Sequence, residues 1–179
     1  GHHYGRCWTV QHRRKRDILQ GDRRMRIIID ADSCPRDIRQ IIIKAGTRNA
    51  VPVLFVGNRK LPDISKPAEN VLVTEGEGNA DRYIAEHAEQ NDLIITRDIP
   101  LAGLLLERGM TVINDRGDCF TKESIGERLS IRNHMKTLRE RGLAPGLGGR
   151  QYGSREKKRF ADTFNRELTR LRKKMDVIP

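Results

Sequence analysis

From position 25 to position 113, short apolar runs alternate with stretches whose apolar residues recur at helical spacing. Residues 26–30 (RIIID) form a β-branched run that predicts a buried strand. Pro35 then suits a first helical turn, and Ile38, Ile41, Ile42 and Ala45 fall on one helix face. Residues 51–56 (VPVLFV) predict a second strand, with Pro52 tolerable only at its start or on an exposed edge. A proline-rich loop leads to a short strand over 71–74. Asn79 is placed to cap a helix that turns Ile84, Ala85 and Ala88 to the core. Residues 93–96 (LIIT) predict another buried strand. Pro100 opens a helix with Leu101, Leu104 and Leu105 inward, Gly109 ends it, and 110–113 is the last strand.

This alternation predicts an α/β fold, a central and mostly parallel sheet with helices on both faces. Beyond it Ile125, Leu129 and Leu138 mark helical segments, and a glycine-rich linker over 142–149 leads to a last helix. There Phe160, Phe164, Leu168, Leu171 and Met175 recur at helical steps. Such a stripe docks on the body or on a partner, leaving Arg159, Arg166, Arg170 and Lys173 outward. Residues 1–24 show no periodicity and read as a flexible basic extension. The chain is thus expected to divide into 1–24, an α/β domain over 25–141, and a linker with a basic helix over 142–179.

Charge sharpens that division. The net charge of +11 is concentrated at the ends: residues 1–24 hold 7 Lys/Arg against 2 Asp/Glu, and 136–179 hold 13 against 5, whereas 25–135 hold 15 against 17. Basic ends attract polyanions such as nucleic acid through counterion release; the plainer reading is that they are solvated segments. No apolar run approaches the roughly 20 residues of a membrane helix, so no membrane partner is expected. Three widely spaced cysteines (Cys7, Cys34 and Cys119) make no disulfide framework, which favours a reducing, cytoplasmic location.

The candidate chemistry lies in the aspartates. In an open parallel sheet, ligands bind beyond the carboxyl ends of the strands, near the switch point of strand order. Asp30 ends the first strand, Asp32 lies just past it, Asp98 follows the 93–96 strand and Asp115 follows the last one. Asp81, in a first helical turn, also begins near that edge, whereas Asp92 precedes its strand and belongs on the opposite edge. A lone aspartate in such a place most often caps a helix or solubilises a loop. Several together repel one another and favour a compensating cation, and hard oxygen ligands suit Mg²⁺ or Mn²⁺. Cys34 beside Pro35 at a helix start has no histidine near it in sequence and reads as structural. Walker A, G-x-G-x-x-G, C-x-x-C and H-E-x-x-H motifs are all missing from the sequence.

Residues 30–35 (DADSCP), 92–102 (DLIITRDIPLA) and 114–117 (NDRG) together resemble the YaiI/YqxD family of uncharacterised bacterial proteins. Residues 131–135 (IRNHM) with Leu138 and Arg139, Gly148 with Gly149, and Arg159 with Phe160 are similar to that family's C-terminal signature. The family itself looks like a divergent branch of the PIN-like nucleases, which place one Asp after the first strand, one at a helix start and one in a Thr-x-Asp after a later strand. Asp30, Asp81 and Thr96-Arg97-Asp98 match those positions in order, and Asp32 is an addition in the family's own motif. The acid such nucleases carry midway has no placed counterpart; Gly78 stands before Asp81, with Glu75 and Glu77 close by.

The resemblance implies a three-layer PIN-like domain with a helical basic C-terminal extension, and a Mg²⁺- or Mn²⁺-dependent nuclease acting on RNA or single-stranded nucleic acid. On that reading Asp30, Asp81 and Asp98 hold the metal, and Asp32 is a further ligand or a water-orienting base. Thr96 orients Asp98 or contacts phosphate, while Arg97, Arg116, Arg132 and Arg159 meet the nucleic-acid backbone. Partners would be nucleic acid, above all RNA, with a homodimer allowed. Aromatic content of 4% leaves few stacking platforms, Tyr83, Phe120 and Tyr152 among them, and argues against base-specific recognition. The alternatives are a non-catalytic RNA- or ribosome-associated binding module and, behind it, a phosphatase using Asp30 and Asp32 as nucleophile and acid.

Overall fold

A computed structural model describes residues 24–143 and 152–177. Most of the expected basic extension and of the glycine-rich linker lies outside the described residues. Five strands, β1 (Ile27–Asp30), β2 (Val53–Gly57), β3 (Ala68–Leu72), β4 (Leu93–Ile95) and β5 (Thr111–Ile113), form one parallel sheet in the order β3-β2-β1-β4-β5. The helices are α1 (Arg36–Asn49), α2 (Asn79–His87), α3 (Ile99–Glu107), α4 (Lys122–Glu140) and α5 (Ser154–Val177).

Alternate residues of each strand feed two cores, as the twofold side-chain period requires. Ile27, Ile29, Val53, Phe55, Leu93, Ile95 and Ile113 pack on one face against α1 and against Phe160, Phe164, Leu168 and Leu171 of α5. Ile28, Val56, Ile94 and Val112 pack on the other against Ile84 of α2, Leu101, Ala102 and Leu105 of α3, and Ile125 of α4. The sheet is therefore covered on both sides, and the stripe of α5 docks on the body. Among the described residues no helix is long and apolar enough to cross a membrane.

Several local expectations need correction. Leu104 is 39% exposed. With Leu101, Ala102 and Leu105 setting the buried arc, position 104 falls to one side of it. Gly78, in a left-handed conformation, is the residue before α2; Asn79 is the first helical residue, and its amide donates to the Thr74 carbonyl instead of capping. Strand β3 covers Ala68–Leu72 and not 71–74, because two polar residues, Glu69 and Asn70, sit inside this edge strand and break the apolar run. The segments marked by Ile125, Leu129 and Leu138 are one helix of 19 residues, capped by Thr121 with a return bond from Ser124.

Candidate active site at the carboxyl edge of the sheet

Strand β1 sits between β2 and β4, so the connections leaving β1 and β3 cross to opposite faces and open a crevice beyond the ends of β1 and β4. Asp30 ends β1 there and is buried. The chain at once enters a single 3₁₀ turn, Ala31–Ser33, that wraps around the Asp30 carboxylate. One carboxylate oxygen accepts from the Asp32 N–H at 3.3 Å; the other accepts from the Ser33 hydroxyl at 3.0 Å and the Thr96 hydroxyl at 3.4 Å. Ser33 Oγ accepts in turn from the Arg97 N–H at 3.2 Å, and Thr96 Oγ from the Asp98 N–H at 3.0 Å. Two hydroxyls thus stitch the end of β1 to the end of β4.

Asp98 caps α3 by accepting from the Leu101 N–H at 2.8 Å. Asp81 lies in the first turn of α2, close to Asp98. Burial first, then hydrogen bonding and charge from Asp98 and the charges of Asp30 and Asp32, push Asp81 up to about 7. Burial also raises Asp30, outweighing the hydrogen bonds from Ser33, Asp32 and Thr96 that favour its charged form. Four carboxyl groups from three parts of the chain, Asp30, Asp32, Asp81 and Asp98, therefore share one electrostatic environment. Among the described residues, however, no group of three or more His, Cys, Asp or Glu is arranged to hold a metal ion.

The other expected site residues fare differently. Thr96 is fully buried; its hydroxyl donates to the Asp30 carboxylate and accepts from the Asp98 N–H. Arg97 holds the buried Asp115 in a bidentate pair, 3.0 and 2.7 Å, with its side chain still half exposed. The guanidinium of Arg116 lies 5.9 Å from the centre of the Tyr152 ring. Arg159, on α5, pairs with Asp118 at 2.7 Å. Arg132 is exposed on the second half of α4. Cys34 is buried, and desolvation pushes its thiol up to about 12. Asp92 stands at the opposite edge and binds Arg26 through backbone and guanidinium, a structural pair.

Sequence reasoning missed the support behind Arg97. Tyr152 donates its hydroxyl to the Asp115 carbonyl at 2.8 Å, and Thr163 of α5 donates to the Gly117 carbonyl at 2.7 Å. Gly117 has φ +85°, and a Cβ there would lie 2.6 Å from the Arg159 carbonyl oxygen. The loop after β5 is thus pressed against α5, and through Asp115 it sets Arg97. The one signal in the sequence was the Asn114-Asp115-Arg116-Gly117 turn itself, whose glycine permits the left-handed backbone.

The family model of the uncharacterised YaiI/YqxD proteins matches residues 28–170. The chain is 48% identical to a UPF0178 protein of Syntrophobacter fumaroxidans over 149 residues, 82% of this chain and 95% of the relative. It is 45% identical to a UPF0178 protein of Myxococcus xanthus, with 82% and 96% covered, and 46% identical to one of Treponema denticola, with 83% and 95% covered. No solved structure matches the chain with significance.

Proposed function

We propose that this chain, which belongs to the YaiI/YqxD family, is a PIN-like, divalent-metal-dependent phosphodiesterase acting on RNA or single-stranded nucleic acid. The observation that carries the reading is the convergence of Asp30, Asp81 and Asp98 at the switch point, from the end of β1 and the starts of α2 and α3. Carboxyl groups forced together need positive charge, and a raised proton affinity marks where it is needed. The donors are all oxygen, which fits Mg²⁺ or Mn²⁺. Asp30, Asp81 and Asp98 would hold the ion, replacing the proton at Asp81, while the exposed Asp32 is free to orient water. Bound there, the ion would polarise a phosphoryl oxygen and activate water. Ser33 and Thr96 fix the Asp30 carboxylate, and Arg97, held by Asp115, would steer the phosphate backbone into the crevice together with Arg116 of the same loop.

Calorimetric titration of Mn²⁺ tests this, paired with cleavage of a single-stranded RNA in Mn²⁺ or EDTA. Wild type should give binding heat and Mn²⁺-dependent cleavage, and the double variant Asp30→Ala, Asp98→Ala neither; equal heats from the two proteins would end the proposal. A second reading, a nucleic-acid-binding module without catalysis, is favoured by the lack of a ready-made three-ligand arrangement among the described residues. It wins if RNA binding survives in the double variant and wild type never cleaves.

A further inference from the structure

The expected nucleic-acid contacts all come from the β4–β5 side of the aspartates or from the helices beyond it. The opposite flank is basic too. Strand β2 ends at Gly57, and the chain continues as Asn58, Arg59 and Lys60, all exposed. Val56 pairs with Asp30, so Gly57 stands level with Ala31, and a Cβ on Gly57 would lie 3.0 Å from Cβ of Ala31. Ile95 pairs with both Ile29 and Ile113, which puts Arg97 and Asp115 near that level on β4 and β5. The polar run is pinned beyond Lys60: Asn70 of β3 accepts from the Leu61 N–H and donates to the Leu61 carbonyl, both at 3.1 Å. Nearby Asp63 is engaged by Arg39 and Gln40, and among the described residues neither Arg59 nor Lys60 is held in an ion pair.

We infer that Arg59 and Lys60 form a second phosphate-binding flank, so that one nucleic-acid strand crosses the sheet edge from β2 to β5 over the aspartates. This deepens, and rests on, the proposed phosphodiesterase reading. With strands about 4.8 Å apart, the end of β2 lies about 10 Å from that of β4 and about 14 Å from that of β5. Cations on both sides hold a flexible polyanion across the crevice; cations on one side alone would leave its far end to swing away. They also offset the repulsion between the carboxylates and an approaching phosphate.

The test is fluorescence anisotropy of a labelled oligouridylate across a KCl series in EDTA. It uses wild type, the double variant Arg59→Ala, Lys60→Ala, and a control of equal charge loss, Lys44→Ala, Arg48→Ala, on the exposed end of α1 at the other edge. Each phosphate contact contributes about 0.7 to the slope of log K against log salt for a single strand, so the slope of the Arg59/Lys60 variant should be shallower by about 1.4. The control should keep the wild-type slope. The second flank is overturned if the Arg59/Lys60 variant keeps the wild-type slope, if both variants lose equally, or if wild type binds no oligouridylate. Failure of the catalytic reading looks different: wild type binds with the expected slopes yet leaves RNA intact in Mn²⁺.

Discussion

Replacing Asp81 by Asn should make the protein more stable at alkaline pH while abolishing its response to Mn²⁺. In the unfolded chain an aspartate gives up its proton near pH 4, but in the folded protein Asp81 holds it to about 7. The folded state therefore carries an extra proton between those values, and its stability falls as pH rises through the window. A displacement from about 3.9 to about 7 is worth about 4 kcal/mol at about 1.36 kcal/mol per pH unit. Asp81 keeps some contact with solvent, and screening reduces this to about 2 kcal/mol. The amide of Asp81→Asn carries no charge and still has a donor for Asp98. At about 2–4 °C per kcal/mol for a domain of this size, Tm should rise by about 4–8 °C at pH 8. Linkage leaves about a quarter of that gain at pH 4.5, where wild-type Asp81 is protonated when folded. Thermal melts in EDTA at the two pH values measure it. A gain independent of pH, or a loss at pH 8, would refute the claim that burial and the neighbouring carboxyls disfavour charge on Asp81. Adding Mn²⁺ at pH 8 should raise the wild-type Tm and leave the variant unmoved, since only a native-state ligand shifts the melt.

Two further substitutions separate structural roles from the site. Asp92→Ala should cost about 3–5 kcal/mol in urea titration, because it strands the buried Arg26 without its carboxylate partner; a cost under about 1 kcal/mol would show the pair to be dispensable. Gly117→Ala should cost about 1–3 kcal/mol through its positive φ, with a further loss from the clash against the Arg159 carbonyl. Unchanged stability there would mean that the loop after β5 does not press on α5.

The frame of the fold and the placing of the aspartates were both legible in the sequence, for the same reason. Short β-branched runs such as 26–30 and 93–96 can only be buried strands, and a helix after each forces parallel pairing. Parallel pairing then sends every strand's end to one edge, which separates Asp30, Asp98 and Asp115 from Asp92 before any side chain is seen. Where a residue's role depends on which neighbour it meets, the chain order is silent. Leu104 looks as apolar as Leu105 and is exposed because the helix is rotated by its other contacts. Arg97 looked like a free phosphate contact, and nothing local to it reveals the bidentate bond to Asp115.

The apolar stripe of α5 was legible as a docking face; which elements it meets, and what it does for the site, follow only from packing. Phe160 and Phe164 are fully buried in the core shared with α1 and the sheet, so the helix is part of the layer on that face. Its first three turns also carry Arg159 and Thr163 against the loop after β5. The same packing that buries the aromatic rings therefore clamps the loop that aims Arg97. Basic residues near its other end, such as Arg172 bonded to Asn49, sit at the amino edge of the sheet, away from the aspartates. The proposed affinity for a polyanion along α5 and the packing of α5 on the loop after β5 are thus separable, the first by charge on its far end and the second by contacts at its near end.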